Sequence, residues 1–400
     1  MRTEVHGVAS ELRSLRTIAC LSTVLIAACG GESTGPPGTA TTGIRIATAS
    51  SGVDADPDGY LVQVDGGPPE RVAIDTAVTR PLSVGSHSVA LAGLSSNCSV
   101  DQATRSVSVV AGAVADVRFS ITCSLRRIAF TSNRAGNGYQ IYVMNRDGSN
   151  ITQLTTGISD FAGAWSPDGA TLLFTGNDAT GRRQVFVVSV DGSNRRQLTS
   201  TGTNYSGSFS PDGRLISFTS DRDTPSIYQI YLMSADGGSQ RRLTASSASK
   251  DNPQWSPDGT QLAYTTIPSQ LDPGFYFDAY TIKVDGTGEH QILPGVTDKR
   301  SPSWAPDGKS IVLVQRPGPL NDRNRAQVVW NVPMDGTAPR QLTFNTSDGT
   351  LPRWSPDGKL LSYSVAHGTV SELHILGLDG TDGRMLPTSA AYDYGAVWRP

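Results

Sequence analysis

Four hundred residues carry 33 Lys and Arg against 36 Asp and Glu, a formal charge of −3. That balance leaves no basic surplus with which to neutralise a nucleic-acid backbone. Glycine numbers 42 and long helical periodicity is absent, so the chain is expected to be all-β, with room for one large repeat domain beside a smaller one.

The first 28 residues do not read as part of a folded domain. Arg2, Arg13 and Arg16 make a positive region, and TIACLSTVLIAA at 17–28 is an apolar run too short to span a bilayer as a stable helix. This leader contributes a net +1 (three Arg, two Glu), so the remainder carries −4. The run ends in small residues before a cysteine, Ile26-Ala27-Ala28-Cys29, and so resembles a bacterial lipobox. The resemblance implies that Cys29 becomes the mature N-terminus and carries a lipid. Ordinary cleavage near Ala28, without lipid, is the alternative. Residues 29–42, rich in Gly, Ser, Thr and Pro, read as the flexible tether that an anchored protein needs. Gly30 supplies no acidic retention signal, which places the expected lipoprotein at the outer membrane, facing the periplasm or the cell surface.

Residues 43–124 follow a period of two. IRIATAS at 44–50, YLVQVDG at 60–66, RVAIDTA at 71–77, HSVALAG at 87–93, RSVSVVA at 105–111 and VADVRFSITC at 114–123 alternate apolar and polar side chains. Turn clusters such as Asp56-Pro57-Asp58-Gly59 separate them. This spacing predicts a small β-sandwich, and it resembles the Ig-like or PEGA-type modules of bacterial surface proteins. Of the four cysteines, Cys20 lies in the leader and Cys29 is the proposed anchor, which leaves Cys98 and Cys123. An even pair in an oxidising compartment reads as a disulfide, worth about 3 kcal/mol in the chain-entropy model. Two buried thiols are the alternative.

From residue 125 to the end one phrase recurs. It reads WSPDG from Trp165, FSPDG from Phe209, WSPDG from Trp255, WAPDG from Trp304 and WSPDG from Trp354; a sixth copy, WRP from Trp398, stops at Pro400. The copies are 44 to 50 residues apart. In each, the aromatic ends a strand and Ser-Pro-Asp-Gly turns the chain: Pro presets φ, Asp bonds local backbone, Gly accepts positive φ. A second strand follows, such as LLF at 172–174. A third, such as QVFVVSV at 184–190, runs to an Asp-Gly turn, and a short fourth ends on Leu-Thr. Four antiparallel strands joined by tight turns make one propeller blade. Residues 126–155 form a repeat without its first strand, and DYGAVWRP at 393–400 is a first strand without its repeat. The two pieces complete one blade, so six blades are expected, closed by the C-terminal strand. An open array would leave long unpaired edges.

The pattern WSPDG…IAFTS…QIYVMN-x-DG…LT resembles the TolB-type β-propeller repeat over about 125–400. The resemblance implies a six-bladed propeller that binds partners around its axis. Similar propellers precede the peptidase domain in relatives of prolyl oligopeptidase.

No nucleophile elbow, P-loop, H-E-x-x-H or C-x-x-C occurs, and the five histidines are scattered. No cofactor or metal site is expected, although carboxylates could hold Ca²⁺. The Asp of each SPDG reads as a turn residue, and Trp165, Phe209, Trp255, Trp304, Trp354 and Trp398 as wedges between blades. Candidate contacts fall on the opposite face, where the long insertions 268–278 and 316–325 lie. There Phe275, Tyr276 and Phe277 would stand beside Arg316, Arg323 and Arg325, unless the aromatics fold back onto their own blade. Five residues before each aromatic, Asp160, Asn204, Lys250, Lys299, Gly349 and Asp393 are expected to ring the channel mouth with mixed charge. Such a mouth suits a peptide or protein segment. The expected function is a non-catalytic, lipid-anchored scaffold for a protein or peptide partner in the cell envelope, with no nucleic acid and with membrane contact through the lipid alone. A propeller lyase or hydrolase acting on a glycan or peptide is the alternative.

Overall fold

The computed structural model describes residues 41–52, 59–94, 97–123, 126–157, 159–267, 277–295, 298–316, 327–343, 349–367, 369–378, 384–386 and 391–400. Cys29 and the tether lie outside them. Every regular element among the described residues is a strand, and the strands form eight four-stranded sheets in an all-β, propeller-like fold.

Two sheets come from residues 43–123. One orders Ala77–Pro81, Gly43–Gly52, Val114–Cys123 and Cys98–Val100; the other orders Glu70–Val72, Tyr60–Val64, Gly85–Ala92 and Thr104–Val109. Gly43–Gly52 runs parallel to Val114–Cys123 for its whole length. The alternation read in the sequence delivers Ile44, Ile46, Tyr60, Val62, Val89, Val117, Phe119 and Ile121 from both sheets into one apolar cluster. Cys98 and Cys123 stand opposite each other and are joined by a disulfide.

The other six sheets follow the repeats. Each begins on the strand that ends at an aromatic: Phe161–Trp165, Asn204–Phe209, Ser249–Trp255, Asp298–Trp304, Gly349–Trp354 and Asp393–Trp398. The first four residues of the turn behave as their types require. Ser166 Oγ donates to Asp168 Oδ1 (2.5 Å), Asp168 Oδ1 accepts from Ala170 N, and Gly169 takes φ 65°. The C-terminal strand does not pair with its sequence neighbour. It pairs antiparallel with Arg127–Ser132, Asp393 opposite Ser132 and Trp398 opposite Ile128.

Second and third strands are buried on both faces: Ile128 to Ser132 and Gln140 to Met144 are examples. Sheets stack face to face, so most of these strands carry continuous buried runs, while Val370–Gly377 in the last sheet keeps alternation. Each interface holds one aromatic. Trp165 packs with Ile141 and Val143 of one sheet and Leu172 of the next. Trp398 packs with Leu373 and Ile375 of the last sheet and Ile128 of the first. Trp255, Trp304 and Trp354 do the same at their own interfaces, and Phe209 packs against Leu173 and Ile216 by the same rule.

Candidate functional site

Every first strand carries an irregularity in its middle. The pairing register shifts between Ala162 and Ala164, Tyr205 and Ser208, Asp251 and Gln254, Arg300 and Ser303, Thr350 and Arg353, and Tyr394 and Val397. Positive φ falls inside the shift at Ser206, Asn252, Ser301, Leu351 and Gly395. These are β-bulges, which bend a strand and re-aim its side chains. Hydroxyls of the preceding sheet accept the amides at the bulge: Thr131 from Ala162 (2.9 Å), Thr175 from Ser206 (3.3 Å), Thr265 from Ser301 (3.1 Å) and Ser364 from Gly395 (3.0 Å). The Thr or Ser that follows the second-strand aromatic in the repeat therefore links one sheet to the next.

The bulged strands enclose a cavity of about 170 Å³. Phe161, Arg183, Tyr205, Asn252, Arg353 and Tyr394 are among the residues that line it. At one end aromatic rings gather. Tyr139 lies 5.5 Å from Phe161 and 5.9 Å from Tyr394; Tyr392 lies 5.4 Å from Tyr394; Tyr205 lies 5.1 Å from Tyr228. The Arg183 guanidinium sits 5.2 Å above Phe161. These rings are half-buried and Arg183 is exposed. Burial pushes the hydroxyls of Tyr205 and Tyr394 far above the ordinary tyrosine range, with neighbouring acidic or phenolic groups adding to it, so they stay protonated donors. Tyr139 and Tyr228 precede the third strands. The mouth therefore opens at the sheet edge that the long insertions connect, opposite the SPDG turns.

The residues expected to ring this mouth are elsewhere. Asp160, Asn204, Lys250, Lys299 and Asp393 are 0–5% exposed and point back into their own sheets. Arg195 holds Asp160 at 2.8 and 3.1 Å while lying over Phe174 and Phe186. Arg134 holds Asp393 at 2.8 Å over Phe130 and Tyr142, and Arg222 reaches Asn204 Oδ1 at 2.9 Å over Phe218 and Tyr231. Lys250 is the cation itself, 3.0 Å from Glu289 and over Tyr264 and Tyr280; Lys299 meets Asp278 at 2.5 Å. Gly349 has no side chain to offer. The physical reason is parity. Successive residues of a strand face opposite ways, so the position four before the aromatic faces the cavity and the position five before it does not. Phe161, Tyr205 and Tyr394 occupy the former.

Of the insertion residues, Phe275, Tyr276, Arg323 and Arg325 lie outside the described residues. Phe277 is half-buried, its amide donates to Asp298 Oδ1 (3.1 Å), and the Arg300 guanidinium lies 3.5 Å from its ring centre. Arg316 pairs across the strands from Asp298. The structure thus brings Phe277 and Arg316 to one place, around Asp298 and Arg300.

Deeper in the cavity lies Arg353. Its Nη2 donates to Asn252 Oδ1 (3.1 Å), 101 residues away on the first strand of another sheet, and its Nη1 to Pro352 O (3.0 Å). Burial draws its pKa down to about 10. Asp251 faces Thr219 and the Asn252 amide, and burial raises its pKa. Among the described residues no three His, Cys, Asp or Glu side chains gather closely enough to hold a metal ion.

Residues 156–350 match the family model of the TolB beta propeller domain. The chain carries a TolB-like propeller. Solved structures agree on the fold. TolB from Acinetobacter baumannii superposes with a TM-score of 0.58 at 23% identity, covering 69% of this chain and 67% of its own. Putative TolB from Agrobacterium tumefaciens gives 0.50 at 20% identity, covering 69% and 99%. Kuenenia stuttgartiensis hydrazine synthase gives 0.54 at 15% identity, covering 69% and 47%. No curated protein sequence matches the chain. At these identities the TolB-like propeller shares an architecture with its neighbours, and function has to be argued from this chain's own site.

Proposed function

We propose that this chain is an exported, lipid-anchored cell-envelope protein whose TolB-like propeller is a non-catalytic scaffold, binding a protein or peptide partner at the aromatic mouth of its cavity. The observation that carries the reading is the convergence of Tyr139, Phe161, Tyr205, Tyr228, Tyr392 and Tyr394 with Arg183 at one open edge. Tyrosine and arginine are the side chains that most often anchor interfaces, because they supply rigid area and hydrogen bonds together. Protonated tyrosines donate to backbone carbonyls, whereas a hydrolase would need a base.

In this reading the six repeat sheets are blades of one closed ring. The pairing of Asp393–Trp398 with Arg127–Ser132 and the cluster around Trp398 support closure. Residues 1–28 are the signal peptide, Cys29 carries the lipid, 29–42 are the tether, 43–124 an Ig-like spacer and 125–400 the propeller. Phe275, Tyr276, Phe277, Arg316, Arg323 and Arg325 extend the contact surface on the mouth's rim. The test is crosslinking and capture from intact envelopes with wild type and a Tyr205→Ser, Tyr394→Ser double variant. Capture should fall at least tenfold per folded molecule, with folding checked by melting on the same preparation. Undiminished capture by a folded double variant would remove the mouth from the binding surface.

A further inference from the structure

The cavity behind the mouth holds a cation with no counterion. Arg353 crosses from the first strand of its own sheet to Asn252 on that of another, so its guanidinium lies within the space the bulges enclose. Of its five N–H donors two are used, one on a backbone carbonyl and one on an amide oxygen. Among the described residues no carboxylate approaches it within ion-pair distance. Asn252 Nδ2 is buried and also without a partner, and Gln254 spends its amide on Asn252 Oδ1 and Pro253 O. The charged groups nearby do not compensate. Arg183 is a second cation on the cavity lining, and Asp251 is committed to Thr219 Oγ1 and the Asn252 amide.

Arg353 is half-buried, and a guanidinium partly withdrawn from water with three donors left over favours an anionic partner. Elsewhere in this propeller Arg134, Arg195, Lys250 and Lys299 each meet a carboxylate. Among the described residues Arg353 has no such partner, and it lines a cavity that a ligand can reach. A planar guanidinium receives a carboxylate through two parallel hydrogen bonds.

We infer that the cavity is a carboxylate subsite, in which Arg353 and Asn252 receive an acidic side chain of the bound peptide. The inference rests on the peptide-binding reading of the mouth. It adds specificity: rings at the mouth hold the peptide, and the floor selects an Asp or Glu within it.

Calorimetry on the purified full chain tests both ideas with four probes: sodium acetate, inorganic phosphate, and the blocked peptides Ac-Tyr-Gly-Asp-Tyr-NH₂ and Ac-Tyr-Gly-Asn-Tyr-NH₂. The Asp peptide should bind at least tenfold tighter than the Asn peptide. Arg353→Gln should erase that preference. So should Asn252→Asp, which supplies the missing counterion from within and suits the positive φ at that position. The second variant keeps the test valid if the first folds poorly. Equal affinity for the two peptides would overturn the carboxylate subsite and leave the peptide reading standing. Acetate binding that depends on Arg353, with neither peptide bound, would keep the subsite and overturn the peptide reading. Phosphate bound more tightly than acetate would overturn the assignment to a carboxylate. No binding of any probe would overturn both.

Discussion

At the residue scale, the repeat turn shows how much one side chain carries. Ser355 is fully buried; its hydroxyl donates to Asp357 and accepts from Leu360 N (2.9 Å). Ser256 and Ser210 do the same in their copies. Position 305 is the exception, a buried Ala in WAPDG. Ala305→Ser should restore the missing bonds and raise unfolding free energy by about 1 kcal/mol, read by urea titration. A loss of stability would mean that this turn has repacked around the methyl group. The turn acids also predict a pH profile. Serine hydroxyls lower the pKa of Asp168, Asp212 and Asp258, so their contribution is complete above the unfolded value of 3.8 and lost as pH falls through their folded values. Burial raises Asp251 and Asp393, so their ionisation opposes folding, and the penalty is relieved as pH falls from neutral through their raised values toward 3.8. Stability should therefore rise slightly on mild acidification before it collapses. Asp251→Asn should flatten the rise and leave the collapse in place. The turn chemistry was legible because Ser-Pro-Asp-Gly acts within five residues. The side on which Asp160 and Lys250 face was not, because a bulge three residues before each aromatic resets the parity that a pattern reader must assume.

At the element scale, the C-terminal strand is the decisive piece. Asp393–Trp398 supplies the first strand of a sheet whose other strands lie about 240 to 270 residues earlier in the chain, and Trp398 donates to Ser362 Oγ (3.0 Å) of the preceding sheet. That pairing was legible because a headless repeat at 126–155 and a tailless strand at 393–400 need each other. The bulges left a fainter signal: a proline follows the bulge residue in Asn252-Pro253, Ser301-Pro302 and Leu351-Pro352, and Gly stands nearby in the other copies. Proline and glycine inside a strand mark irregular pairing, yet neither says which residue turns inward. Trp398→Ala should cost about 3–5 kcal/mol, the usual penalty for a large buried aromatic. Deleting 393–400 should expose the edge of Arg127–Ser132 and lead to aggregation or a much lower melting temperature. A deletion that melts like the parent would show that the C-terminal strand contributes nothing.

At the scale of the whole molecule, the parts form a chain of dependence: tandem repeats create stacked sheets, bulges open a space among their first strands, and the rings at one edge of that space make the surface proposed for a partner. The TolB-like character of the repeats was legible in WSPDG. The mouth was not, because it joins two different repeat positions, Tyr205 and Tyr394 on first strands and Tyr139 and Tyr228 before third strands, which meet only through folding. The anchor is tested separately: Cys29→Ser should abolish lipid labelling and release the protein into the soluble fraction, and an unlabelled, soluble wild type would contradict the lipobox. The central claim is tested most directly by placing a photo-crosslinking amino acid at one edge or the other of the sheets in intact cells. From Tyr205 or Phe161 the account predicts a crosslink to one partner protein, and from the turn residues Asp258 or Asp357 none. Crosslinks from the turns, with Tyr205 and Phe161 silent, would contradict it.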